Sequence, residues 1–309
     1  MQRASSPSGH RPVMIAIAGD SASGKTTLTR GLVEALGPDR MTAVCVDDYH
    51  RHDRFERREV PWTALHPEAN YVDIMEQHLQ LLALGQPVLK PVYDHDTGLL
   101  TRPVLVEPRE FVVVEGLLPL HTRLARACFD IAVYLDPPEE VRRGWKVHRD
   151  TTKRGYAPEQ VLAELDRREP DSAAFVRPQR RWADIVVRFA PIAGRADPPG
   201  TPLSAELMLR PTIDHPDLSA VLPGGDQRAL HLKLLRDTDG RPVDALHVHG
   251  YVGTEEAGVV VKAIWESLGI DAPVPAGLGR FADGTSQPLA ITQLLLLYHL
   301  LDTARLHGR

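Results

Sequence analysis

The stretch VMIAIAGDSASGKTTLTRGLVEAL, residues 13–36, decides the fold. Its first seven residues are an apolar run of the length of a buried strand. Eight residues, Gly19-Asp20-Ser21-Ala22-Ser23-Gly24-Lys25-Thr26, then match G-x-x-x-x-G-K-[ST]. From Thr26 to Leu36 the apolar residues Leu28, Leu32, Val33 and Leu36 fall on one side of a helix. Strand, glycine loop and helix in that order form a phosphate cradle. The glycines let backbone N–H groups turn inward, and the helix adds the partial positive charge of its N-terminus. Lys25 is placed to reach the β- and γ-phosphates and Thr26 to ligate Mg²⁺, so residues Gly19 to Thr27 are expected to hold a nucleoside triphosphate, read as ATP.

Working outward, further short apolar runs begin at Thr42 (TAVCV), Phe111 (FVVVEG), Asp130 (DIAVYLD) and Ala183 (ADIVVRF). They are continuous rather than alternating, as in parallel strands covered on both faces. Helical patterns at Tyr71–Leu84 and Glu139–Thr152 lie between them. This alternation predicts an α/β fold: a doubly wound, mainly parallel sheet of the phosphate-loop NTPase kind. After about residue 190 the texture changes. PIAGRADPPGTP (191–202) reads as a connector, ALHLKLL and ALHVHGYV alternate like antiparallel strands, and helices are expected at Thr254–Leu268 and Pro288–Leu306. The expected division is a tail at 1–12, a kinase-like domain at 13–190, and a C-terminal antiparallel and helical extension at 191–309 that extends the sheet or forms a dimer surface.

A formal net charge of −5 gives no sign of a nucleic-acid partner, so any basic site must be local. Two cysteines, Cys45 and Cys128, are too few for a disulfide framework and point to a reducing compartment. The polar N-terminus has no signal-peptide core, and the longest apolar stretch, Leu289–Leu301, is too short to span a bilayer. The expectation is a cytoplasmic protein with no membrane partner.

A bound triphosphate can drive mechanical work, set a GTPase switch, or be spent on a small acceptor. The chain has no N-K-x-D guanine motif, which weakens the second outcome. Transfer needs a carboxylate for the acceptor's proton and cations for the acceptor. VCVDDYHRHDRFERR (44–58) supplies both: Asp47 and Asp48 at the end of a strand, divided between Mg²⁺ and general base, then His50, Arg54, Arg57 and Arg58. Glu115 ends the next apolar run, as a metal-side carboxylate does. RRGWKVHRDTTKRGY (142–156) carries Lys146 and Arg149 on one helical face, extended by Arg142 and Lys153, with Arg154 before the helix-ending Gly155. Such a face reads as a lid that clamps phosphoryl oxygens.

These residues resemble a known family, the phosphoribulokinases within the phosphoribulokinase/uridine kinase group. The resemblance covers residues 13–190 well and rests on an ordered set: GDSASGKTT, VDDYHRHDR, LHPEANYVD, KPVYDHDTGLL, VVVEGLLPL, WKVHRDTTKRGY and RPQRRWADIVV. It is nearer the plant and cyanobacterial type than the shorter proteobacterial one. It implies transfer of the γ-phosphate of ATP, with Mg²⁺, to the 1-hydroxyl of ribulose 5-phosphate; a homodimer is expected from the C-terminal surface. It further implies Asp47 as base, His50 and Arg54 as sugar-phosphate contacts, Glu115 on the metal side, Lys146, Arg149 and Arg154 in the lid, and Asp150 as a further functional acid. Arg57, Arg58, Tyr93 and His95 are natural additions around the sugar.

The sequence departs from the family in three places. Leu118 stands where E-G-L-H-P has histidine, which opens the identity of the sugar. Arg58 stands where a lysine is common. Ser23 stands where the plant-type enzymes carry one cysteine of a thiol switch, so that switch is expected to be absent although Cys45 matches the second. A uridine/cytidine kinase, a kinase for a different sugar phosphate, and a nucleotide-binding regulator without catalysis are the competing readings.

Overall fold

The computed structural model describes residues 11–192, 194–195, 201–222, 229–281 and 284–308. Strand β1 (Val13–Gly19) is buried along its whole length and runs into the glycine loop and helix α1 (Lys25–Leu36). Strand β2 (Met41–Cys45), helix α2 (Val72–Ala83), the hairpin β3 (Val88–Tyr93) and β4 (Leu100–Val106), and strand β5 (Phe111–Gly116) follow. Next come the short helix α3 (Arg123–Arg126), strand β6 (Ile131–Leu135), helices α4 (Glu139–Arg154) and α5 (Pro158–Asp171), and strand β7 (Ile185–Ala190). The remainder supplies β8 (Ser204–Leu209), β9 (Leu230–Arg236), β10 (Pro242–Val248), α6 (Thr254–Ser267) and α7 (Gln287–Leu306).

One eight-stranded sheet joins these pieces in the order β2-β5-β1-β6-β7-β8-β10-β9. The first five strands are parallel; β8, β10 and β9 continue them antiparallel, so the extension prolongs the same sheet. On one face Val13, Ile15, Ile17, Val113, Val133 and Ile185 pack with α1, α6 and α7; on the other Met14, Val112 and Val114 pack with α2. Burial on both faces explains the unbroken apolar runs. β9, at the edge, keeps no strict alternation: Leu230 and His231 are both buried, while Leu234 is 77 % exposed.

Several expectations are adjusted. Val46 leaves the strand and starts a tight turn of 3-10 helix, Val46–Tyr49, which carries the aspartate pair. The apolar surface of α7 packs internally, with Leu294 to Leu297 fully buried. Residues 1–10 of the expected tail lie outside the described residues; of its last two, Arg11 pairs with Asp130 at 3.0 Å and Pro12 is buried. Half of the connector at 191–202 also lies outside them. No helix among the described residues is long and apolar enough to cross a membrane.

Candidate active site

The glycine loop closes over its own lysine. Gly19 and Gly24 have φ of +151° and +100°, and a side chain at Gly19 would come within 2.8 Å of the Leu135 carbonyl and of Ser23 Oγ. Buried Lys25 donates from Nζ to the carbonyls of Gly19 (2.9 Å) and Asp20 (2.8 Å), its resting place within the cradle. Ser23 is buried and its hydroxyl has no partner among the described residues. The carboxylate of Asp20 turns away from the cradle. It accepts from Ser21 N at 2.7 Å and from the Ser172 hydroxyl, and lies 3.5 Å from Arg142. Thr27 contributes its carbonyl to Gln293 of α7, at 3.4 Å.

Thr26 is exposed beside the loop, and its hydroxyl donates to Glu115 Oε2 at 3.2 Å. Burial raises the pKa of Glu115; Lys25 opposes that rise and Asp47 adds to it, which places all three charges in one neighbourhood. One hydroxyl and one carboxylate beside a phosphate cradle form the hard-oxygen donor set that suits Mg²⁺, whose remaining ligands come from phosphate and water. The residues present therefore fit the ion.

Asp47 is fixed from one side only. Its Oδ1 accepts the Leu117 N–H at 3.0 Å. Gly116 has φ of +150°, and a Cβ there would sit 2.8 Å from Asp47 Oδ1 and 2.3 Å from Val46, so only glycine allows this approach. Asp47 Oδ2 has no protein partner among the described residues. Asp48, expected to share the work, faces the other way: Lys90 pairs with it and Tyr93 N donates to it at 2.9 Å. It holds the β3–β4 hairpin in place.

The side expected to take the acceptor is basic and partly buried. His50 is buried against Asn70, with Nδ1 2.7 Å from Oδ1. Because the Asn70 amide nitrogen already donates to the carbonyls of Ala64 and His66, its oxygen faces His50 and the imidazole must donate from Nδ1, leaving Nε2 as acceptor. Burial, aided by Arg57 and opposed by Asp47, lowers the His50 pKa to about 4. It therefore offers a neutral contact rather than a cation. Tyr93 is buried behind His50 and His95, its ring edge-on to both, and its hydroxyl meets Arg57; it supports the pocket rather than lining it. Arg54 donates to the His95 carbonyl at 2.6 Å. Arg58 is exposed and stacks on Phe55, and no described contact joins it to the cluster.

The lid helix also sorts differently from its expected face. Arg142, Lys146 and Asp150 form its buried stripe, while Lys153 is exposed. Arg142 grips the cradle instead of an acceptor, donating to the Ser21 carbonyl at 3.1 Å. Asp150 receives Lys146 at 2.7 Å, Arg149 at 2.8 Å and Arg154 at 3.3 Å. Burial would raise its pKa, but Arg149 and Lys146 overcome that and bring it to about 2, so it orients three cations and takes no proton. Burial, with nearby Arg168, lowers Lys146 to about 8. Arg168, on α5 and paired with Glu164 at 2.5 Å, also lies close to Arg57. It was not singled out from the sequence; its signal was a doubled arginine 14 residues after Arg154.

The model of the phosphoribulokinase/uridine kinase family matches residues 14–193, more than half of the chain. The chain belongs to that family. A phosphoribulokinase of Synechocystis sp. is 45% identical over 181 residues, covering 59% of this chain and 54% of the relative. The chloroplastic phosphoribulokinase of Arabidopsis thaliana is 38% identical over 196 residues, 58% and 50% of the two chains. The chain thus spans about half the length of these curated relatives. The solved phosphoribulokinase from Rhodobacter spheroides superposes with a TM-score of 0.59 at 18% identity, over 84% of this chain and 98% of that one, a likeness of fold. In this family member the two cysteines, Cys45 and Cys128, are both free. Burial and the carboxylates of Asp47, Glu115 and Asp48 push the Cys45 thiol well above its usual pKa.

Proposed function

We propose that the chain transfers the γ-phosphoryl group of ATP to the 1-hydroxyl of ribulose 5-phosphate, giving ribulose 1,5-bisphosphate. One observation carries this reading: Asp47 Oδ2, without a protein partner among the described residues, stands between the Lys25–Thr26–Glu115 cradle and a cluster of cations from Arg54, Arg57, Arg149, Arg154 and Arg168. Asp47 orients the acceptor hydroxyl and takes its proton. Mg²⁺ held by Thr26 and Glu115 would offset charge on the phosphates. Lys25 leaves its backbone carbonyls for the phosphate oxygens, and the Asp150-ordered trio of Lys146, Arg149 and Arg154 stabilises charge on the group in transit. Arg54, Arg57 and Arg168 grip the far phosphate, and neutral His50 with His95 meets sugar hydroxyls. A charge-assisted contact is worth about 1.5–3 kcal/mol, so two or three anchor the acceptor.

An unphosphorylated nucleoside gives those arginines nothing to neutralise, which disfavours uridine. Leu118 favours keeping a second reading, a kinase for a different sugar phosphate: it is buried with Leu65, Leu117 and Val176 and lines the recess beside Asp47, presenting methyl groups where the family pattern has imidazole. The same proposal makes residues 13–190 the chemical part and 191–309 its brace, in a cytoplasmic homodimer with a small sugar phosphate as partner. ADP release with Mg·ATP and a panel of ribulose 5-phosphate, other pentose phosphates, ribulose and uridine tests it. Fastest turnover is expected with ribulose 5-phosphate; turnover of uridine alone would overturn it.

A further inference from the structure

On the surface beside β7, away from the glycine loop, two arginines lie against one exposed indole and a third stands close to one of them. Arg126 and Arg181 each place their guanidinium carbon 4.2 Å from the Trp182 ring centroid, so they stand no further apart than twice that distance. Arg123, one turn before Arg126 on α3, completes the group. Among the described residues no carboxylate pairs with any of the three. Arg126 spends hydrogen bonds on the carbonyls of Leu120 (3.0 Å) and His121 (2.9 Å), which fixes its position without neutralising it. By contrast, Arg177 pairs with Glu169, Arg180 with Asp136 and Asp237, and Arg210 with Asp237.

The platform beneath Trp182 is rigid. Buried Arg210 donates to the carbonyls of Arg180, Arg181 and Ala183 at 2.9–3.0 Å, locking the segment that carries both Arg181 and Trp182. Gln179, one turn earlier, bonds Leu120 N at 2.8 Å and the Leu117 carbonyl, so the α3 side and the Trp182 side are held in register. Two like charges held against one ring repel each other unless a counter-charge joins them. Burial together with Arg181 and Arg123 accordingly lowers the pKa of Arg126. A single tetrahedral oxyanion, making hydrogen bonds of about 2.8 Å to guanidinium groups on either side, spans such a gap.

We propose that Arg123, Arg126 and Arg181, arranged around Trp182, form a binding site for a small phosphate-class oxyanion, separate from the glycine loop and from the acceptor cluster. The ligand is small because the four side chains come from two short, mutually fixed segments. The site stands independently of the proposed kinase activity.

The test is calorimetric titration of inorganic phosphate, pyrophosphate and glycerol phosphate into the full chain at about 0.15 M salt, where unspecific surface attraction is screened. Wild type is compared with Arg123→Gln/Arg181→Gln and with Trp182→Phe. Among the described residues neither Arg123 nor Arg181 donates a side-chain hydrogen bond, so the double variant should melt at the wild-type temperature. Wild type is expected to show a class of binding that weakens at least tenfold in the double variant, while binding at the glycine loop, common to both, persists. Tighter binding of glycerol phosphate than of free phosphate would assign the site to phosphate esters, and the reverse order to the inorganic ion. Quenching of fluorescence on binding, lost in Trp182→Phe, would place the anion at the indole. Identical isotherms for wild type and the double variant would overturn the proposal, as would loss of all extra binding at this ionic strength.

Discussion

At the scale of single residues, the account rests on what holds Asp47 and what leaves it free. Asp47→Asn removes a base without changing size, so ATP binding should be retained while transfer falls about 10²–10⁴-fold; calorimetry with nucleotide and a rate assay check the two halves. Gly116→Ala acts on the same carboxylate indirectly. Its new Cβ would collide with Asp47 Oδ1 and Val46, and a misplacement of about 1 Å costs about 10² in rate. A fall in kcat with little change in the KM for ATP is expected. Lys146 sets a pH limb. With its pKa lowered to about 8, it is charged below that pH and neutral above it, so transfer should decline as pH rises through about 8. Between about 8 and the unfolded value of about 10.4, the unfolded chain binds more protons, so this group makes stability rise with pH. Loss of rate over that window is therefore not unfolding by this group. Lys146→Arg, charged throughout, should lack the limb.

At the scale of elements, a close coupling runs between α1, which begins at the cradle, and α7. Gln293 is fully buried in a run of leucines, accepts from Gly279 N at 2.7 Å and reaches the Thr27 carbonyl. A Cβ on Gly31 of α1 would lie 1.9 Å from its amide nitrogen. Gly31→Ala should therefore lower stability by about 1–3 kcal/mol through overpacking, read by urea denaturation. An unchanged midpoint would mean the helices separate freely. The parallel strands were legible because apolar runs between helices have few other homes, and Gly155 does end α4 in a left-handed turn, at φ of +71°; their order in the sheet was not. The partition of charges was less legible. Helical spacing groups Arg142 with Lys146, Arg149 and Lys153, but only the packing of α4 against the cradle decides that Arg142 bonds the loop and Lys153 faces solvent. Likewise, adjacency puts Asp47 and Asp48 together, while a 3-10 turn sends their side chains to opposite tasks. Arg168 and Gln293 reach the site from elements whose position depends on tertiary contacts, which no local pattern encodes.

At the scale of the whole molecule, the sheet passes through the 190 boundary without a break, and α6 and α7 cover the β1 face. A chain cut after Ala190 would strip β7 of its antiparallel neighbour and expose Ile15, Ile17 and α1 to water. It is expected to lose its cooperative melting transition; a soluble, sharply melting fragment would show that the extension is no brace. The whole arrangement has one chemical purpose in this account, to set a carboxylate between a triphosphate cradle and a cation-lined pocket for an already phosphorylated pentose. The most direct test is ³¹P NMR of ribulose 5-phosphate and Mg·ATP incubated with the chain. The account predicts ADP together with a new phosphomonoester resonance on carbon 1, formed by wild type and nearly absent with Asp47→Asn. ATP turned over to ADP and free phosphate with no new ester, or equal ester formation by the Asp47 variant, would contradict it.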